Sequence, residues 1–283
     1  MRLRRTRRSD NVIDRRGRGR GGAIAGGVGG LGLVAIVVVS WALGIDPRPI
    51  LDMASGGSTA TSSEPRELSA QEQQAGEFAA RVLATTEDVW NAKFPAQVGD
   101  AYQEPELVLF SGTVQSQCGG ASAATGPFYC PADRRAYLDT AFFATLAQEL
   151  GAEGDFAAAY VIAHEVGHHV QNQLGVLGQV NARQQSVGQT EANALQVRVE
   201  LMADCLAGIW ANGVNDLLEP GDITEAINAA KRIGDDYLQR RAEQAVNPHS
   251  FTHGTSEQRA RWFDTGYESG NMNDCDTLSA SAL

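Results

Sequence analysis

Two histidines four residues apart, His164 and His168, place the strongest constraint on this chain. They lie in Val161-Ile-Ala-His-Glu-Val-Gly-His-His-Val-Gln171. That spacing stacks both imidazoles on one face only if the segment is helical. The preceding Phe156-Ala-Ala-Ala-Tyr160 favours helix strongly, and Asp155 is placed to cap it. Neutral imidazole nitrogens one turn apart can share a tetrahedral zinc ion, and Glu165 between them can take the proton of a metal-activated water. His169 sits about 100° round the helix from His168, so it is read as a packing or supporting residue.

Two histidines leave a ligand missing. One class of zinc site takes a third His six positions after the second, following a Gly, but those positions hold Leu174 and Gln171. The other class takes a Glu from a later helix, and Glu200-Leu-Met-Ala-Asp204 supplies one. Glu200 is expected to complete the metal set. Asp204, one turn on, is expected to hydrogen-bond a ligand His and fix its tautomer. Both carboxylates stand among Val199, Leu201, Met202 and Leu206, where an unpartnered charge is costly. Two His and one Glu leave a fourth position open, as a catalytic site requires.

Charge is distributed unevenly. Nine Arg against Asp10 and Asp14 give residues 1–20 a charge of +7, so the other residues carry −18 of the net −11. A basic arm could touch nucleic acid, but here an uncharged stretch follows at once, from Gly21 to Ile45. It is long enough to span a bilayer. Arginines before it and none directly after predict a cytoplasmic N-terminus, with Trp41 near the outer interface. A cleaved signal peptide fits less well, because the apolar segment is long and Gly-Ile-Asp-Pro-Arg is a poor cleavage site. Gly22, Gly26 and Gly30 read as a weakly apolar entry. The expected organisation is a basic cytoplasmic tail (1–20), a transmembrane anchor (21–45), a Pro/Ser/Thr/Gly-rich linker (46–67) and one extracytoplasmic domain (68–283). This describes a single-pass protein of a bacterial cytoplasmic membrane, with no nucleic-acid partner.

All four cysteines follow the proposed anchor, and an even count outside the cytoplasm reads as disulfides. Three pairings are open. Cys118 and Cys130 bracket a Gly/Ala/Ser-rich loop and are paired locally, which leaves Cys205 with Cys275. Thiolate ligation of zinc is disfavoured, since no Cys-x-x-Cys is present.

The domain reads as α+β and predominantly helical, with a small sheet. Ser69-x-x-Glu72 has capping-box spacing and opens a helix that Pro95 should end. Leu107–Ser111 and Arg135–Asp139 are strand candidates, either of which could form an edge beside the metal for a peptide to join. Helices are expected over 140–150, 190–210 and 222–246, with a short one around Arg259–Phe263. Gln171–Gly188 reads as a polar connection. Tyr129 and Tyr160 are read as spare hydrogen-bond donors.

Five segments resemble, in order, the bacterial neutral zinc metallopeptidases, a family of membrane-anchored proteins with one peptidase domain. They are Gly126-Pro-Phe-Tyr-Cys-Pro-Ala-Asp133, His164-Glu-Val-Gly-His-His-Val-Gln171, Glu200-Leu-Met-Ala-Asp-Cys205, Ala229-Ala-Lys-Arg-Ile-Gly-Asp-Asp236 and Phe251-Thr-His-Gly-Thr-Ser-Glu-Gln-Arg259. The likeness spans roughly residues 68–276. It implies a zincin-like fold, bound Zn2+, a gluzincin arrangement and a peptide or protein substrate. Thr252–Arg259 also looks like the His-to-Arg segment of membrane-associated gluzincins. By that likeness His253 would stabilise the oxyanion and Arg259 would brace a carboxylate near the zinc. The resulting expectation is a zinc endopeptidase with Glu165 as general base. A zinc-containing scaffold or envelope-binding module without chemistry is the alternative.

Overall fold

The capping box at Ser69 forms as its spacing predicts. Ser69 accepts from the Glu72 amide, the Glu72 carboxylate accepts from the Ser69 amide, and helix α1 runs Ala70–Val98. Pro95 lies inside its last turn, and Gly99, with φ of 89°, closes it. The computed structural model that shows this describes residues 1–17, 66–122 and 125–283. The anchor expected over 21–45, and the linker expected over 46–67 apart from Arg66 and Glu67, lie outside the described residues. Among those described, no helix is long and apolar enough to cross a membrane.

Strands β1 (Val12–Asp14), β2 (Glu106–Phe110), β5 (Phe128–Cys130) and β6 (Arg135–Asp139) form one sheet in the order β1-β2-β6-β5. The β1–β2 and β2–β6 pairs are parallel, and β5 runs antiparallel to β6 with Tyr129 opposite Ala136. Strands β3 (Thr113–Ser116) and β4 (Gly119–Ser122) make a separate hairpin. Neither predicted strand is an edge: β2 and β6 lie inside the sheet, and β5 forms the rim. Interior placement suits their nearly continuous burial, since a strand covered on both faces need not alternate.

The remaining helices are α2 (Asp155–Gln173), α3 (Val176–Gln184), α4 (Gln189–Gly213), α5 (Asp222–Arg232), α6 (Asp235–Arg241) and α7 (Ser256–Ser269). Asp155 is the first residue of α2, and Gly154 occupies the cap position. Where one helix was expected over 140–150, the chain makes a short turn, Phe142–Ala144, and one wide π turn, Thr145–Glu149. The expected polar connection contains α3, set off by Gly175 at φ 78° and held by buried Val180. The helix expected over 222–246 breaks at Gly234, where a Cβ would come within 2.5 Å of the Ser256 amide. The predicted tail helix extends to Ser269, and its capping box is led by Thr255.

Helix α2 is buried along most of its length against α4, α5 and α1. Phe156 stacks on Trp210 at 5.3 Å, and the Trp210 indole donates to Thr85 Oγ1 at 3.1 Å. Two glycines seat α7 on α4. A Cβ at Gly208 would run into the Phe263 carbonyl, and one at Gly266 into the Cys205 carbonyl. Cys205 is bonded to Cys275 just beyond α7, and Cys118 to Cys130, the two pairs expected.

Candidate metal centre

The close approach of α2 and α4 builds the site. Gly167 lies between the two site histidines on α2, and a Cβ there would come 2.9 Å from the Ala203 carbonyl of α4. With no side chain in the way, Glu200 on α4 reaches both rings. Its Oε2 lies 3.2 Å from His164 Nε2 and 3.6 Å from His168 Nε2. One ligand atom from each of His164, His168 and Glu200 falls within 4.8 Å of the other two. Donors about 2.0–2.2 Å from a tetrahedral zinc are separated by roughly 3.4 Å, so this set has the right span.

The far side of each ring is held in turn. His164 Nδ1 is 2.8 Å from Asp204 Oδ1, and His168 Nδ1 is 2.9 Å from Gln171 Oε1. Both Nδ1 atoms therefore face acceptors, and Nε2 of each ring is the nitrogen directed at the shared space. Gln171 is itself buried and donates to the Val199 carbonyl at 2.6 Å, tying α2 to α4. Gln196 donates to Glu200 Oε1 at 2.9 Å. This fit rests on how these donors converge.

Asp204 is fully buried and accepts from four groups. Arg259 approaches it through Nε at 2.8 Å and a terminal nitrogen at 2.9 Å, alongside the Tyr160 hydroxyl and His164. The structure thus places Arg259 against Asp204, the carboxylate behind His164, and uses Tyr160 in the same network. Tyr129 is also engaged. Its hydroxyl meets His169 Nδ1 at 2.9 Å and accepts from Asn172 at 3.0 Å, linking the rim strand β5 to α2. His169, whose Nε2 faces the Gln103 carbonyl, packs edge-on against Tyr102 and Tyr129. It takes the supporting role read for it.

These contacts set the charges. Burial favours the neutral form of Asp204, but Arg259 and His164 outweigh it and lower its pKa to about 2. Burial opposes charging His164, yet Asp204 and Glu200 outweigh it and raise the imidazole to about 10. Glu200 is desolvated too, but His168 and His164 hold it well below the usual carboxylate range. The centre is thus a buried anionic site that takes up positive charge, from protons or from a metal ion. Glu165 differs: burial raises its pKa, and the two histidines only partly offset that. Among the described residues its carboxylate has no hydrogen-bonding partner, although it lines the cleft.

That cleft has a volume of about 550 Å3. Its floor is His164, Glu165, His168 and Glu200, and its walls include Phe128, Phe142, Leu177, Val180, Ile233 and Leu238. His253 stands at the mouth with its side chain 49% exposed, on the loop before α7. Asp235 organises that loop. Its Oδ2 accepts from the amides of Thr252, His253 and Gly254 at 2.8, 2.6 and 3.0 Å, and its Oδ1 lies 3.4 Å from His253 Nδ1. Gln171 and Asp235 were not singled out as supporting residues from sequence. Both lie inside the quoted motif segments, where an acid and an amide gave no signal of partners 18 and 28 residues away.

A family model described as "Putative neutral zinc metallopeptidase" matches residues 1–278. The uncharacterized protein YpfJ of Escherichia coli strain K12 is 44% identical over 290 residues, covering 99% of this chain and 100% of that protein. The uncharacterized protein Rv2575 of Mycobacterium tuberculosis strain H37Rv is 45% identical over 219 residues, covering 72% of this chain and 71% of its own. No solved structure matches. A match over nearly the whole chain, on a fold that brings two histidines and a glutamate to one point, means that this chain belongs to the neutral zinc metallopeptidase family.

Proposed function

We propose that the protein is a zinc-dependent endopeptidase. His164, His168 and Glu200 hold the metal, and Glu165 is the general base. The observation that carries this reading is the contrast between four buried side chains. Three donors converge at ligand spacing, while the fourth, the Glu165 carboxylate, is left unengaged at the floor of an open cleft. A purely structural site has no use for that carboxylate.

Zinc bound by these residues would acidify a water molecule and polarise the scissile carbonyl. Glu165 accepts the proton of the attacking water on a carboxylate oxygen and delivers it to the departing amide nitrogen. Its raised pKa suits both halves of that transfer. Asp204 and Gln171 engage the two Nδ1 atoms, so that Nε2 of each ring is the nitrogen offered to a metal, and Arg259 balances the charge of Asp204. His253, whose loop Asp235 holds, would donate to the oxyanion, a role supported by its position lining the cleft. The open edge of β5 lines the cleft, and an extended peptide can add there as another strand. Two disulfides support a compartment outside the reducing cytoplasm, and membrane association rests on the apolar sequence of residues 21–45.

The test uses the oxidised full-length chain, with bound zinc measured by elemental analysis and cleavage assayed on casein and a peptide library. Wild type should hold one zinc and cleave. Glu165→Gln should hold the same zinc and lose activity by about 100-fold or more. Absence of zinc from wild type refutes the metal assignment. Equal zinc in both proteins with no cleavage by either moves the reading to a zinc-bearing scaffold. Four titratable thiols in the unreduced chain would remove the argument for compartment.

A further inference from the structure

The basic N-terminal segment is built into the catalytic body. Strand β1 pairs with β2 in parallel, with Val12 beside Leu107 and Asp14 beside Leu109. The ladder extends beyond the strand through the Leu107 amide to the Asn11 carbonyl and the Arg15 amide to the Leu109 carbonyl, both 2.8 Å. Leu3 is buried in the same core as α1 and α2.

The charges of this segment have specific partners. Glu87, in the middle of α1, is 1% exposed. Its hydrogen-bond and ion-pair partners among the described residues are Arg7, Ser9 and Asn11. Without the segment, a buried carboxylate would be left unpaired, which folded proteins avoid. Arg8 pairs with Glu77 at 2.9 Å. Arg16 is 6% exposed, pairs with Asp14 at 2.7 Å and bonds the Glu72 carbonyl, in a space that exists because residue 76 is glycine. Two of the arginines that suggest a cytoplasmic tail, Arg7 and Arg8, therefore pair with carboxylates of α1.

The exit and re-entry points decide the geometry. The Arg66 amide donates to the Gly17 carbonyl at 3.0 Å. Gly17 and Arg66 therefore lie side by side on the body. A single crossing of a bilayer between those residues would separate them by about 30 Å of hydrocarbon.

We infer that residues 1–17 are a permanent part of the catalytic body, so the N-terminus and the metal centre share one side of any membrane that residues 18–65 meet. This placement stands against the single-pass arrangement read from the charges, with the N-terminus inside and the domain outside. It does not depend on whether the site is catalytic.

Two exposed positions test the inference in the full-length chain, Arg4→Cys in the segment and Ala96→Cys on α1. Each variant is expressed in bacteria, and spheroplasts are treated with a membrane-impermeant maleimide before or after lysis. Both cysteines should give the same pattern, reacting before lysis or only after it. If one reacts before lysis and the other only after, the inference is overturned. In purified full-length protein, Asn11→Ala combined with Arg16→Ala should lower the thermal midpoint by at least about 4 °C. It should also open the arginines of the segment to trypsin. An unchanged midpoint and digestion pattern would mean that the segment is not held, and would overturn it as well.

Discussion

Replacing Asp204 by Asn tests the internal logic of the metal centre, because it removes one charge and almost no volume. Asp204 is fully buried and is the carboxylate to which Arg259, itself 2% exposed, bonds through two nitrogens. An amide cannot offer two acceptor oxygens, so the guanidinium keeps its charge and loses its counter-ion. Breaking a buried pair from one side costs about 3–5 kcal/mol. That is a large share of a typical total of about 5–15 kcal/mol. For a chain of this size it corresponds to a fall of roughly 6–20 °C in thermal midpoint. Calorimetry and urea unfolding should both be run with chelator present, so that metal binding does not add its own stabilisation. Zinc affinity, measured separately by competition with a chromophoric chelator, should fall about 10–100-fold, since Asp204 orients His164. The double variant Asp204→Leu with Arg259→Met distinguishes the two effects. An apolar pair should recover the part of the stability lost with the uncompensated guanidinium, and none of the zinc affinity. A cost below about 1 kcal/mol for Asp204→Asn, or recovered zinc affinity in the double variant, would refute the reasoning.

Three further outcomes follow from the packing. Cys205→Ser with Cys275→Ser opens a closure of 70 residues and should cost about 4 kcal/mol by the loop-entropy relation, read from urea midpoints of the non-reduced proteins; a loss under about 1 kcal/mol would show that the α4–α7 contact holds without it. Gly208→Ala should destabilise by about 1–3 kcal/mol, because its methyl meets the Phe263 backbone and not a side chain that can swing away. A neutral effect there would contradict the helix contact. Burial favours neutral Asp236, but the Ser256 amide and hydroxyl and Arg240 outweigh it and lower its pKa below 3.8. The folded value lies below the unfolded one, so its stabilisation is complete above about pH 4 and is lost as pH falls through the folded pKa. Asp236→Asn should therefore be less stable than wild type at pH 7, with the gap narrowing towards pH 3; a constant gap would argue against the assignment.

Much of the centre was legible because its constraints are local. His164, Glu165 and His168 lie within five residues on one helix, and the helical period alone brings the two rings to one face. Glu200 and Asp204 repeat that spacing on a second helix, in an apolar context that demands partners. The supporting residues were harder to see. Gln171 serves His168 and also bonds the Val199 carbonyl of α4, and Asp235 gathers three amides of a loop 17–19 residues away. Their roles depend on which surfaces meet. The edge strand was misplaced for a similar reason. Val108 and Leu138 mark buried strands, but the order of strands comes from pairing, and β1 covers the side of β2 that would otherwise be open.

At the N-terminus, composition and packing point in different directions. Nine arginines before an uncharged stretch have the pattern of a membrane-topology signal. In the folded protein Arg7, Arg8 and Arg16 answer Glu87, Glu77 and Asp14, and Val12–Asp14 joins the sheet. The sequence by itself determined the helix carrying His164 and His168, the helix carrying Glu200 and Asp204, the Ser69 capping box and the cysteine inventory, because each rests on local sequence. Only the tertiary structure decided that Asp204 would be the carboxylate Arg259 meets, that β5 would be the rim of the cleft, and that the first 17 residues would pack onto the domain. Those outcomes depend on close contacts between distant segments, made where Gly167, Gly208 and Gly266 let helices touch and where buried carboxylates select the cations that reach them.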